Sequence, residues 1–178
     1  MYIIVNLVNI INGDYMKKLF LVIFSFTMLV GCTLGNTPTS RVEDMLTNYQ
    51  MVTDNIDISY TYLTDDNNLN QDIRDDYEEA IRKQYKNLSY EVKEEVIDGD
   101  KAIVTIEVEV MNYKNAIDKY DKSSYEINKY HELVLEQIKN SKEMVTYTLD
   151  ISLTKDNNDT WKLDNLTEEN RDKLLGIY

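Results

Sequence analysis

The sequence predicts an α+β domain in which helices pack on one face of an antiparallel sheet. Apolar residues recur at helical spacing after residue 40 and again over residues 113–140. Between and after these stretches, apolar and polar residues alternate, as they do in half-buried strands. Two hairpins separated by a helix are typical of a sheet of about four strands whose helices share one side.

Two helices are predicted before the sheet. The first begins at Ser40, which forms a capping box with Glu43. The second spans about residues 71–87. The polar, Asp/Asn-rich residues 54–70 between them are predicted to be loop, with a short ordered stretch near 56–62. The apolar faces of the two helices carry Val42, Met45, Leu46 and Tyr49, and then Ile73, Tyr77, Ala80, Ile81 and Tyr85.

The first hairpin is predicted from period-two alternation on both sides of a turn. Asp98, Gly99 and Asp100 form the turn. The alternating apolar positions are Leu88, Tyr90, Val92 and Val96 before it, and Ala102, Val104, Ile106, Val108 and Val110 after it. Because their neighbours are mostly polar, one face of this hairpin should be buried and the other solvated.

A helical segment and a second hairpin complete the predicted domain. Residues 113–140 form either one long helix or two helices joined near Ser123 and Ser124. A third strand is predicted from Val145, Tyr147, Leu149, Ile151 and Leu153. A turn at residues 156–159 leads to the fourth strand at Trp161 and Leu163, and Thr167 caps a short terminal helix.

The charge balance excludes several classes of function. The chain has 19 basic and 32 acidic residues, which argues against a nucleic-acid partner and against electrostatic docking on anionic lipid. The only cysteine cannot form an intrachain disulfide. The only histidine leaves carboxylates to complete any zinc site, so no metal or cofactor is predicted.

The N-terminal region has the pattern of a secretory signal. Lys17 and Lys18 precede an apolar run over residues 19–30, which Gly31 and Cys32 close. The run is too short for a spanning helix, which needs roughly 20 apolar residues. Leu29-Val30-Gly31-Cys32 resembles the lipobox of bacterial lipoproteins. The resemblance implies cleavage by signal peptidase II after Gly31, diacylglycerol on Cys32, and anchoring on the extracytoplasmic face of the cell membrane.

These patterns divide the chain into four parts. Residues 1–15 read as an over-extended start, since Met16 makes the better signal start, although an unusually long n-region is the alternative. Residues 16–31 form the signal peptide and residues 32–39 a lipidated tether. Residues 40–178 form a single α+β domain.

The predicted domain carries a second resemblance. The opening helix at 42–46 and the closing hairpin, residues 149–153 with 160–163, follow the Thr/Pro-containing tether. This order is similar to the nuclear-transport-factor-2-like or cystatin-like superfamily, as found in small Gram-positive lipoproteins of unknown function. The resemblance implies a pocket-capable cystatin-like fold, which the family usually extends with further strands and a deeper curl.

No catalytic residue is predicted. His131 has no partner nucleophile in a recognisable motif and is interpreted as an exposed or partly packed helix residue. Asp66, Asn68, Asn70 and Asp72 have the alternate spacing of a calcium loop. Gln71 stands where that loop needs glycine, and Tyr77 where it needs glutamate, which excludes an EF-hand and leaves at most a weak surface site.

Aromatic residues supply the only predicted ligand contacts. Tyr90, Tyr147 and Trp161 could stack on a sugar or peptide, although filling of the core and its rim is the simpler explanation for them. We therefore expect a ligand-binding or protein-interaction module whose partner is a protein, a peptide or a wall polymer. The alternatives are an isomerase- or cyclase-like enzyme on the same fold, and a structural accessory subunit of a membrane complex.

Overall fold

The computed structural model describes residues 35–53 and 56–178, in which four strands and five α-helices follow the predicted order. The helices are α1 (Pro38–Met51), α2 (Gln71–Asn87), α3 (Lys114–Ile117), α4 (Ile127–Asn140) and α5 (Glu168–Leu175). The strands are β1 (Ser89–Asp98), β2 (Lys101–Met111), β3 (Met144–Lys155) and β4 (Trp161–Leu163). Short 3-10 turns lie at Tyr60–Tyr62 and Lys122–Ser124.

The four strands form one antiparallel sheet in the order β1-β2-β3-β4, which confirms the predicted α+β class. The first hairpin turns at Gly99, whose φ of 60° lies in the left-handed region that glycine tolerates. Strand β2 pairs with β3 along its whole length, so the two predicted hairpins join into a single sheet. Strand β4 is short and pairs only with the end of β3.

One face of the sheet is buried and the other is polar. The alternating apolar residues of β2, from Ala102 to Val110, are at most 3% exposed. Helices α1, α2 and α5 all contact this strand, so the core lies between the sheet and its helices. The opposite face carries threonine, serine and acidic side chains such as Thr105 and Asp150, which are hydrogen-bonded to each other at 2.7 Å.

Helix α1 begins two residues before the predicted start. Thr37 is the N-cap, and its hydroxyl accepts a hydrogen bond from the Ser40 backbone N–H at 3.1 Å. Ser40 is therefore the third helical residue of the capping box and not its first residue. The cause is Pro38, whose fixed φ and missing N–H suit the first helical position.

The segment between the hairpins forms two α-helices, which is the second of the two predicted alternatives. The Asp121 side chain accepts from the Ser123 N–H at 3.0 Å and closes a turn there. Glu126 then caps α4 by accepting from the Lys129 N–H at 3.2 Å. Helix α2 has the predicted bounds, and Thr167 caps α5 as predicted.

A buried glutamine joins the end of β2 to the C-terminal helix. Gln84 on α2 is fully buried, and its Nε2 donates to the carbonyl oxygens of Met111 at 2.7 Å and Leu175 at 2.8 Å. Its Oε1 accepts from the Met111 N–H at 3.0 Å. Three backbone groups that strand and helix leave unpaired are satisfied in this way.

Candidate functional site

An open cleft of about 590 Å³ lies between α1, residues 56–62, and the segment that connects β4 to α5. This volume is within the usual range of small-molecule sites. Its lining residues come from α1, α2, α5 and two loops, and none of these elements alone forms the concavity. The lining residues are Arg41, Asp44, Met45, Asn48, Tyr49, Ile56, Asp57, Tyr62, Tyr85, Leu163, Asp164, Asn165, Leu166 and Arg171.

Two stacked tyrosines form an aromatic part of the cleft wall. Tyr49 on α1 and Tyr85 on α2 have ring centroids 4.7 Å apart at an interplanar angle of 21°. Tyr85 is only 3% exposed. Burial raises the pKa of both tyrosines, so both hydroxyls remain protonated hydrogen-bond donors at neutral pH.

Two half-buried guanidinium groups also line the cleft. Arg171 on α5 stacks over Tyr62, with 4.9 Å from the guanidinium carbon to the ring centroid. The Nε of Arg41 on α1 is buried and has no hydrogen-bond partner among the described residues. Leaving a buried donor unpaired costs about 1–3 kcal/mol. Such a donor is therefore a candidate contact for a ligand or solvent.

The ion pairs of the described residues leave both of these arginines out. Each of those pairs is made by a lysine or by His131, with N–O distances up to 4 Å. Arg41 and Arg171 therefore lack a close carboxylate within the described part of an acid-rich chain. Their positive charge remains available inside the cleft.

The negative charges of the cleft lie on its exposed rim. Asp44, Asp57 and Asp164 are exposed, whereas the two arginines are half-buried. Asp57 accepts a hydrogen bond from the Tyr62 hydroxyl, and this bond raises the pKa of Tyr62. The arginines are thus the less exposed charged groups of the cleft lining, and the aspartates are the more exposed ones.

His131 is buried, which corrects its interpretation as an exposed or partly packed residue. It is 2% exposed, its Nε2 lies 2.8 Å from Asp66 Oδ2, and its Nδ1 lies 2.7 Å from the Tyr77 hydroxyl. Because the Asp66 carboxylate can only accept, the neutral ring donates from Nε2 and accepts the Tyr77 O–H at Nδ1. His131 is in helical phase with Val134, Leu135 and Ile138, and this periodicity could have predicted its burial.

The Tyr77 end of this chain is buried, whereas the Asp66 side chain at its other end is 22% exposed. Tyr77 is 1% exposed, and burial raises its pKa further from neutrality. Burial lowers the pKa of His131, while the hydrogen bond from Lys122 holds the pKa of Asp66 below its usual value. The arrangement links the loop before α2 to α4.

Side chains at residues 66–72, which have the spacing of a calcium loop, make contacts within the protein. Asp66 pairs with Lys122 and His131. Asn70 caps α2 by accepting from the Ile73 N–H at 2.9 Å. Within residues 35–53 and 56–178, no three His, Cys, Asp or Glu side chains are grouped so that they could hold a metal ion.

The three aromatic residues predicted to contact a ligand lie outside the cleft and do not form one cluster. Tyr90 and Tyr147 flank Val108 on neighbouring strands, and the Tyr147 hydroxyl donates to the Tyr178 carbonyl at 3.0 Å. Trp161 pairs with Lys155 near the opposite end of the sheet and is 4% exposed. Ligand contact by these residues stays a prediction.

Gly31 and Cys32, the predicted cleavage and lipidation positions, lie outside the described residues. Among the residues that are described, no helix is both long and apolar enough to cross a bilayer.

No protein-family model and no curated protein matches this chain. Among solved structures, the chain is similar to the crystal structure of a "putative lipoprotein (ycdA)" from Bacillus subtilis. The two are 24% identical, with a TM-score of 0.39, over 53% of this chain and 34% of the other. The similarity thus spans about a third of the Bacillus protein.

Proposed function

We propose that the protein is a lipid-anchored binding module that acts on the extracytoplasmic face of the membrane and holds a small ligand in its cleft. The observation that carries the binding role is the set of unused donors in the cleft. The buried Nε of Arg41 lacks a hydrogen-bond partner among the described residues, and neither Arg41 nor Arg171 forms an ion pair there. A ligand that accepts from them would remove the cost of burying unpaired polar groups.

The geometry favours binding over catalysis. An isomerase or cyclase needs an acid in an apolar pocket beside a tyrosine. The acid that lies beside a tyrosine in this cleft is Asp57, which is exposed on the rim next to Tyr62. In the Tyr77–His131–Asp66 chain the tyrosine is buried, so neither arrangement places an acid in an apolar pocket beside an accessible tyrosine.

The anchoring role rests on the lipobox resemblance at residues 29–32 and on the charge of the domain. A formal charge of −13 gives the protein no electrostatic attraction to anionic lipid, so a covalent lipid is the simplest means of retention.

Anchoring is tested by expressing the full chain and its Cys32→Ala variant in a bacterium fed an alkyne fatty acid. We expect the wild type to be labelled, to be processed to a shorter form, and to fractionate with membranes. The variant should remain unlabelled and unprocessed. Thr33→Ala, which changes the next residue, is the matched control and should behave as the wild type. Labelling of Cys32→Ala would contradict the proposal.

Binding is tested on the full lipidated protein in detergent, with Trp161, the only tryptophan, as a fluorescent reporter of unfolding. A panel of peptides, oligosaccharides, phosphate and small amines is screened for a rise in Tm. A ligand of the cleft should stabilise the wild type and the Lys86→Gln control, but not Arg41→Gln. If no member of the panel raises the Tm of the wild type in this selective way, the binding role is wrong.

A further inference from the structure

We infer that the cleft binds a short peptide through its free C-terminal carboxylate. This inference rests on the proposed function of the cleft as a ligand site and names the class of ligand. The juxtaposition that carries it is a pair of half-buried arginines, which form no ion pair among the described residues, with apolar side chains in the lining of one cleft.

The two arginines of the cleft lining suit a carboxylate. Arg41 and Arg171 come from α1 and α5, and neither forms an ion pair among the described residues. Guanidinium groups bind planar carboxylates through paired N–H donors, and such charge-assisted bonds are stronger than neutral ones. The Tyr85 hydroxyl adds a neutral donor at the same cleft, and its raised pKa keeps the proton in place.

The walls of the cleft fit an apolar side chain. Met45, Ile56, Leu163 and Leu166 are half-buried, contact the core and line the cleft. Their apolar surface would be removed from water by an aliphatic residue at or near the peptide terminus. The stacked rings of Tyr49 and Tyr85 extend this surface.

The rim fits the N–H groups of a peptide and excludes a multiply charged anion. Asp44, Asp57 and Asp164 are exposed there, so the charged groups of the cleft sum to three negative and two positive charges. A phosphate that reached the arginines would place two negative charges near these carboxylates. A peptide instead presents amide N–H groups and an ammonium to them, so it offers a partner to the aspartates as well as to the arginines.

The peptide class also accounts for features that a neutral sugar leaves unused. A saccharide could hydrogen-bond to the rim aspartates and to Asn48 and Asn165. It carries no charge to neutralise two guanidinium groups and no aliphatic chain to cover Leu163 and Leu166. Both of these requirements are met by one C-terminal apolar residue.

The ligand test compares the tripeptide Leu-Gly-Leu with its C-terminal amide by isothermal titration of the full lipidated protein. We expect the free acid to bind about tenfold more tightly or better, because hydrogen bonds to a charged partner are lost in the amide. N-acetyl-Leu-Gly-Leu should bind only a few-fold less tightly than the free acid, since the ammonium meets solvent-exposed aspartates. Equal affinities of acid and amide, or no binding of the acid, would overturn the inference.

The protein test crosses the same two peptides with cleft variants. Arg41→Gln should lower the affinity for the acid about tenfold and leave the affinity for the amide nearly unchanged. Tyr85→Phe removes only a hydroxyl and should cost the acid a few-fold. Lys86→Gln removes one positive charge outside the cleft and is the matched control. Each variant is measured with both peptides, so its affinity for the amide is the reference for its affinity for the acid. A small loss of stability would affect both peptides and would not lower the affinity for the acid alone.

The two failures can be told apart. If chitotriose or inorganic phosphate stabilises the wild type but not Arg41→Gln, while Leu-Gly-Leu does not bind, the peptide inference is wrong and the binding role survives. If Arg41→Gln and Lys86→Gln weaken acid binding equally, the effect is one of overall charge and the assigned location is wrong.

Discussion

Two buried polar side chains join separate elements of the fold through their hydrogen bonds, and substitution of either one should lower stability. Gln84 satisfies three backbone groups of Met111 and Leu175, and His131 lies between Tyr77 and Asp66. Both side chains are almost completely buried. Replacing either one therefore leaves buried partners unpaired, which costs about 1–3 kcal/mol for each group.

The sharpest steric prediction concerns Gly176, which follows α5 at a φ of 69°. A Cβ there would lie 2.0 Å from the Met111 carbonyl oxygen and 2.6 Å from Gln84 Nε2. We expect Gly176→Ala to lower the free energy of unfolding by roughly 3 kcal/mol or more, through left-handed strain together with displacement of the Gln84 contacts.

Gly99→Ala is the matched control for this substitution. Gly99 has a φ of 60°, but a Cβ there would meet nothing within 4 Å. It should therefore cost only the backbone term of about 1 kcal/mol. Urea unfolding measures both variants, and equal losses would show that the predicted collision at Gly176 is relieved.

Because the pKa of His131 is lowered in the folded state, we expect the free energy of unfolding to fall in mild acid. Burial lowers its pKa from 6.5, and the nearby Asp66 only partly offsets this effect. As the pH falls below 6.5, the unfolded chain takes up the proton before the folded chain does, so stability falls by at most about 1.4 kcal/mol per pH unit. His131→Gln should flatten the stability profile between about pH 7 and pH 5.

Asp66 affects the stability of the fold at lower pH than His131 does. The hydrogen bond from Lys122 lowers its pKa from 3.8, so its contribution is present above that value and is lost as the pH falls further. Denaturation measured across both windows separates the two groups. A His131→Gln profile that keeps the full slope near neutrality would contradict the assignment to His131.

At the level of elements, α5 and the C-terminal residues cover an edge of the sheet that β4 is too short to reach. Strand β4 pairs only with residues 153–155. Ahead of them, the Asp150 carbonyl accepts from Asn170 Nδ2 at 2.9 Å, and the Thr148 carbonyl accepts from Lys173 Nζ at 3.1 Å. Side chains of the helix thus occupy acceptors that an added strand could otherwise use.

We expect Asn170→Ala combined with Lys173→Met to promote self-association as well as to destabilise the fold. Each lost hydrogen bond should cost about 1 kcal/mol, and the freed carbonyl groups offer an edge for pairing. Light scattering and urea unfolding measure the two effects. Glu168→Gln, an exposed change on the same helix, should do neither. A variant that is destabilised but stays monomeric would show that the covering role is absent.

At the level of the whole molecule, residues 36–178 form one compact unit around a shared core. Trp161 belongs to this core at its β4 end, whereas the helices supply most of the far-ultraviolet circular dichroism signal. We expect both probes to report the same unfolding midpoint in urea, as in a two-state transition. Separate midpoints would show that the β4 end unfolds independently of the helices.

The order of elements was largely predictable because it depends on local periodicity. The bounds of α2, the alternation of β2 and the Thr167 cap follow from residues within a few positions of each other. The start of α1 was misplaced because two overlapping capping patterns, Thr37 with Ser40 and Ser40 with Glu43, compete in the sequence, and Pro38 decides between them.

The cleft could not be predicted from the same patterns. Tyr49 and Tyr85 were assigned to apolar helix faces, and both lie there, but periodicity does not say which tyrosines stack. Arg41 and Arg171 are far apart in the sequence, and no regular spacing relates them. Tyr90, Tyr147 and Trp161 were chosen by residue type, which carries no information on distance across the sheet.

By itself, the sequence determined the α+β class, the inward face of each main element and the strongly acidic charge, because each follows from composition or short-range spacing. It also carries the lipobox pattern on which the anchoring proposal rests. Only the tertiary structure decided that His131 is buried between Tyr77 and Asp66. It also decided that two arginines with no ion pair among the described residues line one cleft with three aspartates. The physical reason is that burial and pairing of these groups depend on how helices and loops distant in the chain pack against one another, and local periodicity does not encode that packing.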